Sequence, residues 1–93
     1  MSVLFKEIAR WAAETFPDST PDAKLAHLRR EFRELEAAPA DPEEIADCIM
    51  ILVHLGEGQG FDMEAELWRK LAINRARTWG KPDAEGVVEH IRG

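Results

Sequence analysis

Residues 41–56 read DPEEIADCIMILVHLG, and this stretch decides the fold. It opens with a helix start signal, because Asp41 precedes a proline and two acidic residues that suit a first helical turn. Asp41 and Glu44 also have the spacing of a capping box. Residues 48–53 are apolar on every side, which predicts the most buried helix of the fold. A small domain can hardly cover such a helix completely, so we expect a partner chain to cover one side.

The same start and stop signals predict other helices around this one. Ser2 caps a helix through about Thr15, Thr20-Pro21-Asp22 opens another that ends at Ala37-Ala38-Pro39-Ala40, and Asp62 caps one that ends near Trp79-Gly80-Lys81-Pro82. Asp83 caps a short last helix through Ile91. No segment shows strand alternation with hairpin turns. The sequence therefore predicts an all-α bundle of four main helices plus a short C-terminal helix, in a single domain over residues 1–93.

Helical spacing also predicts which side chains face the core. In the second helix these are Leu25, Leu28, Phe32 and Leu35, and in the fourth helix Met63, Leu67, Trp68 and Leu71.

Composition narrows the class of protein. The chain has 93 residues, with 12 Lys and Arg against 18 Asp and Glu, a formal net charge of −6. An acidic chain argues against nucleic acid as a partner, since nucleic-acid-binding domains carry basic patches. The longest apolar run is too short to span a bilayer. The single cysteine, Cys48, is expected to be a buried thiol, which suits a reducing compartment such as the cytoplasm.

Two pairs of carboxylates stand out on the central helices. Glu31 and Glu34 are three residues apart, as are Glu44 and Asp47, so each pair shares one face of its helix. The short connection makes the two helices antiparallel neighbours, which would let the pairs face each other. Four converging carboxylates repel one another unless a hard divalent cation neutralises them, and an all-oxygen set suits Mg²⁺ or Mn²⁺. Spacing alone leaves open that these acids are a solvated surface.

A ferritin-like di-metal bundle is excluded as an interpretation of these acids. Such bundles use Glu-x-x-His pairs. The residues three positions before His27, His54 and His90 are Lys24, Ile51 and Val87, and none is acidic.

A polar stripe lies on the fourth predicted helix. Lys70, Asn74 and Arg77 occupy positions i, i+4 and i+7, and this combination of an amine, an amide and a guanidinium can grip phosphate oxygens. A solvated face, or cations favoured near a helix C-terminus, remains the alternative.

Taken in order, these motifs resemble the MazG-like superfamily of all-α nucleoside triphosphate pyrophosphohydrolases. The resemblance rests on Glu31-x-x-Glu34, then Glu44-x-x-Asp47 entering an apolar helix, then Lys70-x-x-x-Asn74-x-x-Arg77. His27-Leu28, Trp79 and the segment from Asp83 to Ile91 bring it closest to the phage-type dATP/dGTP diphosphohydrolase domain. The nine residues between Glu34 and Glu44 are few for the superfamily at large and favour this compact branch.

The resemblance implies an activity and roles for residues. It implies Mg²⁺-dependent hydrolysis, with Mn²⁺ as a substitute, of a nucleoside triphosphate to its monophosphate and pyrophosphate. Glu34 is expected to accept a proton from the attacking water. The metal ligands would be Glu31, Glu34, Glu44 and Asp47, and Lys70, Asn74 and Arg77 would bind the triphosphate. From their positions, Lys24 or His27 could also reach substrate, and Trp79 or Trp11 could stack on a base, although a tryptophan at helical spacing is more often part of the core.

The expected assembly is a homodimer or homotetramer. The alternative function is a non-catalytic interaction or nucleotide-binding module of the same fold.

Overall fold

Four α-helices form the fold: α1 (Val3–Thr15), α2 (Pro21–Ala37), α3 (Pro42–Glu57) and α4 (Met63–Ala76). The computed structural model describes residues 2–92. Within that range the chain forms no β-strand, only one isolated antiparallel bridge between Trp79 and His90. The all-α prediction with four main helices is therefore confirmed.

Each helix begins where a short polar side chain caps its free backbone N–H groups. Ser2, Thr20 and Asp62 accept hydrogen bonds from the third residue after each of them. Asp41 instead accepts from the N–H of Glu43, at 2.9 Å, and its own N–H donates to the carbonyl of Ala38. The predicted capping box between Asp41 and Glu44 is thus wrong. The carboxylate of Glu44 is left available for other contacts.

The helix α3 is the centre of the fold, and α1 and α2 pack along it. Its buried residues include Cys48 and Val53, which form the small apolar core with Ala12 of α1. On α2, Leu28 and Leu35 are half-buried, whereas Leu25 and Phe32 are exposed, so the predicted apolar stripe is only half right. The buried face of α2 instead carries Lys24 and Glu31.

The buried carboxylate of Glu57 ties α4 to the other helices. It accepts a hydrogen bond from the N–H of Met63, at 2.6 Å, and forms an ion pair of 2.6 Å with Lys6 of α1. Both contacts lower the pKa of Glu57, the one with Lys6 more. The absence of a side chain at Gly56 lets the Met63 side chain pack directly against α3. The first turn of α4 is thereby fixed to both α1 and α3.

The rest of α4 differs from the prediction. Leu67, Trp68 and Leu71 are exposed rather than facing inward, and Trp68 keeps 64% of its surface accessible. The helix ends at Ala76, because Arg77 is extended with φ −82° and ψ 152°. These side chains share a shallow hollow with Ser2 and Phe5 at the start of α1, which leaves much of their surface accessible.

The short C-terminal helix predicted from Asp83 to Ile91 does not form. Asp83 accepts hydrogen bonds from the N–H groups of Glu85 and Val87, and this local bonding competes with helix formation. Gly86 completes the turn with φ +81°, a conformation that glycine adopts without strain. The chain then runs back so that His90 lies beside Trp79.

The chain is more open than a typical domain of its size. Its radius of gyration is 15.6 Å, against about 12 Å expected for 93 residues. An apolar row of Ile45, Ile49 and Leu52 runs along α3 and is about half exposed. Among the described residues, no helix is long and apolar enough to cross a membrane.

Candidate active site

Three carboxylates meet where α2 and α3 run side by side. One carboxylate oxygen from each of Glu31, Glu44 and Asp47 lies within 4.8 Å of the others. Only four residues, 38–41, join the two helices, which run antiparallel. The second half of α2 therefore lies beside the start of α3. The predicted convergence of the two acidic pairs is therefore present. Glu34 lies beside Glu31, one turn further along α2, close enough for a hydrogen bond between the two carboxyl groups.

The electrostatics of this carboxylate cluster disfavour full ionisation. The pKa of Glu31 is raised, first by its hydrogen bond with Glu34, then by burial and by the negative charges of Glu34 and Asp47. The pKa of Glu44 is raised by burial and by the same two charges. Like charges at this separation stabilise the protonated forms. The hydrogen bond from His27 lowers the pKa of Glu31 but does not offset these effects.

The oxygen atoms of the cluster are suited to a hard cation. Oε1 of Glu31 lies 3.3 Å from Nε2 of His27, but Oε2 of Glu31 and Oε2 of Glu44 are buried with no hydrogen-bond donor among residues 2–92. Buried carboxylate oxygens without donors are costly. A divalent cation with oxygen preference satisfies both the charge and the free lone pairs, so Mg²⁺ or Mn²⁺ fits these residues.

A cavity of about 460 Å³ opens directly beside the cluster. Glu31 and Asp47 form one end of it, and Lys24 and His54 lie at the other. Its walls are mostly apolar and come from α1, the α1–α2 connection and α3. A concave apolar cavity with a few polar groups is typical of small-molecule sites, and this volume falls within their range. The predicted substrate residue Lys24 thus lines this cavity, and its role in substrate binding stays a prediction.

Other predicted residues lie outside this cavity. Lys70, Asn74, Arg77 and Trp79 are not among its lining residues. The stripe on α4 is nonetheless partly organised, because Nη1 of Arg77 donates to Oδ1 of Asn74 at 3.3 Å. The indole N–H of Trp79 donates to the Asn74 carbonyl at 2.9 Å. The roles of these four residues in substrate binding stay predictions.

Sequence reasoning missed part of the site. The sequence pattern identifies His54 only as a histidine without an acidic residue three positions before it, and it gives Phe16 no role, yet both line the cavity. His54 is buried, and burial followed by the charge of Lys24 lowers its pKa. A histidine within an otherwise apolar helix was the available signal. Residue pattern could not show that α1 would pack across this end of α2 and α3.

Comparison with known proteins agrees with this geometry. A solved structure of a cyanophage S-2L MazG-like pyrophosphohydrolase, bound to dGDP and three catalytic Mn²⁺ ions per active site, superposes with a TM-score of 0.82. It is 38% identical, and the match covers 97% of this chain and 91% of that one. The four helices and their carboxylate cluster thus define a MazG-like pyrophosphohydrolase.

Sequence comparison also assigns the chain to one family within the MazG-like class. A sequence model of the dATP/dGTP pyrophosphohydrolase family matches residues 4–93, and the chain belongs to this family. A dATP/dGTP diphosphohydrolase of Cyanophage S-2L is 39% identical over 89 residues, covering 94% of this chain and 84% of that protein.

A dATP/dGTP diphosphohydrolase of Salmonella phage PMBT28 is 33% identical over 87 residues. The match covers 92% of this chain but only 30% of that longer protein. The chain is accordingly an enzyme of the pyrophosphohydrolase class, and the alternative of a non-catalytic module is set aside.

Proposed function

We propose that this domain hydrolyses dATP and dGTP between the α- and β-phosphates, giving the nucleoside monophosphate and pyrophosphate, with Mg²⁺ or Mn²⁺ as cofactor in the cytoplasm. The observation that carries the proposal is the cluster of Glu31, Glu44 and Asp47 within 4.8 Å, with buried oxygens that lack donors. Support for the substrate comes from two phage relatives that act on dATP and dGTP. The solved relative, which binds dGDP and Mn²⁺, supports the cofactor.

Four carboxylates would hold the metal: Glu31, Glu34, Glu44 and Asp47. When bound, divalent cations neutralise the phosphates and make a coordinated water a better nucleophile. This role needs all four carboxylates to be ionised. Because the pKa values of Glu31 and Glu44 are raised, protonation of these carboxylates competes with metal binding as the pH falls.

Glu34 is the residue that we assign as general base. It is exposed on α2 and adjoins the half-buried Glu31, so its carboxylate borders the cluster rather than lying at its centre. A carboxylate in that position can accept a proton from water within reach of the α-phosphate. Attack at that phosphorus breaks the bond to the bridging oxygen and releases pyrophosphate.

The stripe of Lys70, Asn74 and Arg77 is proposed to bind the triphosphate, with Lys24 and Trp79 as further substrate contacts. The hydrogen bond from Arg77 to Asn74 supports the stripe, because it orients the guanidinium before substrate arrives. A guanidinium donates two parallel hydrogen bonds to phosphate oxygens, whereas an ammonium acts as a point charge.

The test is pyrophosphate release from each of the common nucleoside and deoxynucleoside triphosphates with Mg²⁺ or Mn²⁺. Glu34→Gln and Asp47→Asn should each abolish activity with dATP and dGTP. The matched control Glu36→Gln changes an exposed acid on α2 outside the cluster and should retain it. Circular dichroism checks that all variants remain helical. Normal activity in both cluster variants would refute the site, and no turnover by the wild type would refute the proposed function.

A homodimer or homotetramer is proposed as the working form. A folded monomer of 10.5 kDa exposes about 5,400 Å² on average, whereas this chain exposes 7234 Å². The difference of about 1,800 Å² per chain is the size of one side of an obligate interface. The apolar row of Ile45, Ile49 and Leu52, together with the exposed apolar residues of α4, supports a second copy as its occupant.

A further inference from the structure

The cavity beside the carboxylate cluster has two chemically different ends. Glu31 and Asp47 belong to the cluster and form the acidic end. Lys24 precedes Glu31 by seven residues on α2, and His54 follows Asp47 by seven on α3. Two helical turns correspond to about 10 Å. Because the helices are antiparallel, Lys24 and His54 lie together at that distance from the acidic end.

Lys24 is the unusual residue of the cavity. It is only 8% exposed, and lysine is rarely buried without a partner. Its ammonium donates one hydrogen bond to the carbonyl of Ser19, at 3.3 Å, and no carboxylate among residues 2–92 forms an ion pair with it. An ammonium has three donors. Two donors therefore remain for other acceptors, and the side chain that carries them lines the cavity.

The geometry decides which part of a nucleotide supplies that acceptor. Phosphates belong at the acidic end, where a cation would bridge them to Glu31 and Asp47. The Lys24 ammonium lies about 10 Å from the acidic end, too far to bind those phosphates. That distance matches the base, since the sugar separates the base from the phosphates. The apolar part of the lining suits a flat aromatic ligand. It includes Trp11 and Phe16, which meet edge to face with ring centroids 5.7 Å apart, and Met50 and Ile51 of α3.

We infer that this cavity is the nucleobase pocket, in which Lys24 selects purines by donating to N7 while Trp11 packs against the ring. The inference rests on the proposed function, which puts the phosphates at the carboxylate cluster. N7 is an acceptor on the edge of both adenine and guanine, and guanine adds O6 beside it. Pyrimidines have no N7 and a shorter ring system. One ammonium at this depth thus reaches an acceptor that both purines share and that the smaller pyrimidine ring does not present at the same position.

His54 contributes by remaining uncharged. Its ring lies near the Lys24 ammonium, and both pack against Gly58. A neutral imidazole offers one donor and one acceptor without adding a second positive charge. The Lys24 ammonium is oriented by its hydrogen bond to the carbonyl of Ser19.

The experiment compares binding of three probes in the presence of Mn²⁺: dGDP, dCDP and inorganic pyrophosphate. The variant Lys24→Met keeps the length of the side chain and removes its charge and donors. Losing a charge-assisted hydrogen bond should weaken dGDP binding roughly 10-fold to 100-fold. Binding of dCDP should change less than about threefold, because no N7 contact is lost, and pyrophosphate binding should be unchanged. Lys81→Met, at an exposed lysine outside the cavity, is the matched control and should bind all three probes as the wild type does.

Several outcomes would overturn the assignment. They are unchanged dGDP binding in Lys24→Met, an equal loss for pyrophosphate, or a wild type that binds dGDP and dCDP equally. If Lys24→Met does not fold by circular dichroism, Trp11→Leu decides the question, because Trp11 is half exposed and tolerant of change. That variant should weaken dGDP about tenfold and leave pyrophosphate unchanged, and an unchanged dGDP affinity would refute the pocket.

Failure of the proposed function gives a different result. If the wild type prefers dGDP but releases no pyrophosphate from dGTP, the proposed hydrolase activity is refuted and the nucleobase pocket is still supported. Hydrolysis that depends on Glu34 but not on Lys24 would refute the nucleobase pocket and leave the proposed activity supported.

Discussion

Leu52→Lys is expected to dissociate the proposed oligomer without unfolding the chain. Leu52 is 48% exposed on α3, so a partner would cover the remaining half of its surface. Burying a whole leucine side chain contributes about 1.5–3 kcal/mol, so half contributes about 0.7–1.5 kcal/mol per copy. A two-fold dimer contains two copies, so the loss is about 1.5–3 kcal/mol. That weakens association roughly 10-fold to 100-fold, before the cost of burying the lysine charge is added.

Sedimentation equilibrium over a range of protein concentrations measures this change directly. The wild type should sediment at a multiple of 10.5 kDa, and Leu52→Lys should approach 10.5 kDa at concentrations where the wild type stays associated. Thr15→Lys adds the same charge at the exposed end of α1 and should associate like the wild type. The helical signal should be retained in both variants.

Two results would refute the reasoning. A wild type of 10.5 kDa at its highest soluble concentration would show that the excess surface is not an interface. Undiminished association of a folded Leu52→Lys would show that the interface lies away from the row of Ile45, Ile49 and Leu52.

Three further predictions concern stability. Mn²⁺ at 100 times its dissociation constant should stabilise the wild type by about 2.7 kcal/mol, which raises the calorimetric Tm by about 10–20 °C. An equal rise in Asp47→Asn would argue against the carboxylate cluster as the metal site. Without metal, the raised pKa values of Glu31 and Glu44 contribute stability that is present below pH 4.5 and lost as pH rises through the folded-state values. Urea unfolding should therefore show stability falling with pH above 4.5, with a smaller slope in Glu44→Gln, and equal slopes would contradict the shift. Lys6→Met and Glu57→Gln should each lower the Tm, and the double variant should lose less than the sum because they share one ion pair. Strict additivity would show that the pair contributes nothing.

The helices were predictable because their start signals are local. Ser2, Thr20, Asp41 and Asp62 each cap the helix that follows them, and a cap requires only residues within three positions. The same local logic failed at Asp83, where a favourable cap residue instead bonds the backbone of a turn containing Gly86. Both outcomes use the same side-chain acceptor, so sequence alone could not distinguish them.

The carboxylate cluster could be predicted from the sequence, whereas the cavity could not. Glu31, Glu44 and Asp47 were predictable because helical spacing and a short connection bring them together. The cavity depends on where α1 crosses α2 and α3, which no spacing rule specifies. Leu67 and Trp68 were misassigned for a related reason: the pattern shows that a face is apolar but not whether its partner belongs to the same chain.

Because α4 is attached to Glu57 at its start, a small rotation there moves the far end of the helix by a larger distance. Glu57 holds α4 at its first residue, Met63, by a hydrogen bond, whereas Arg77 follows the last residue of a helix about 21 Å long. A rotation of about 10° at Met63 displaces the far end by about 4 Å, more than the length of a hydrogen bond. The orientation of Lys70, Asn74 and Arg77 is therefore governed at a distance, by the contacts that Glu57 makes with Lys6 and Met63.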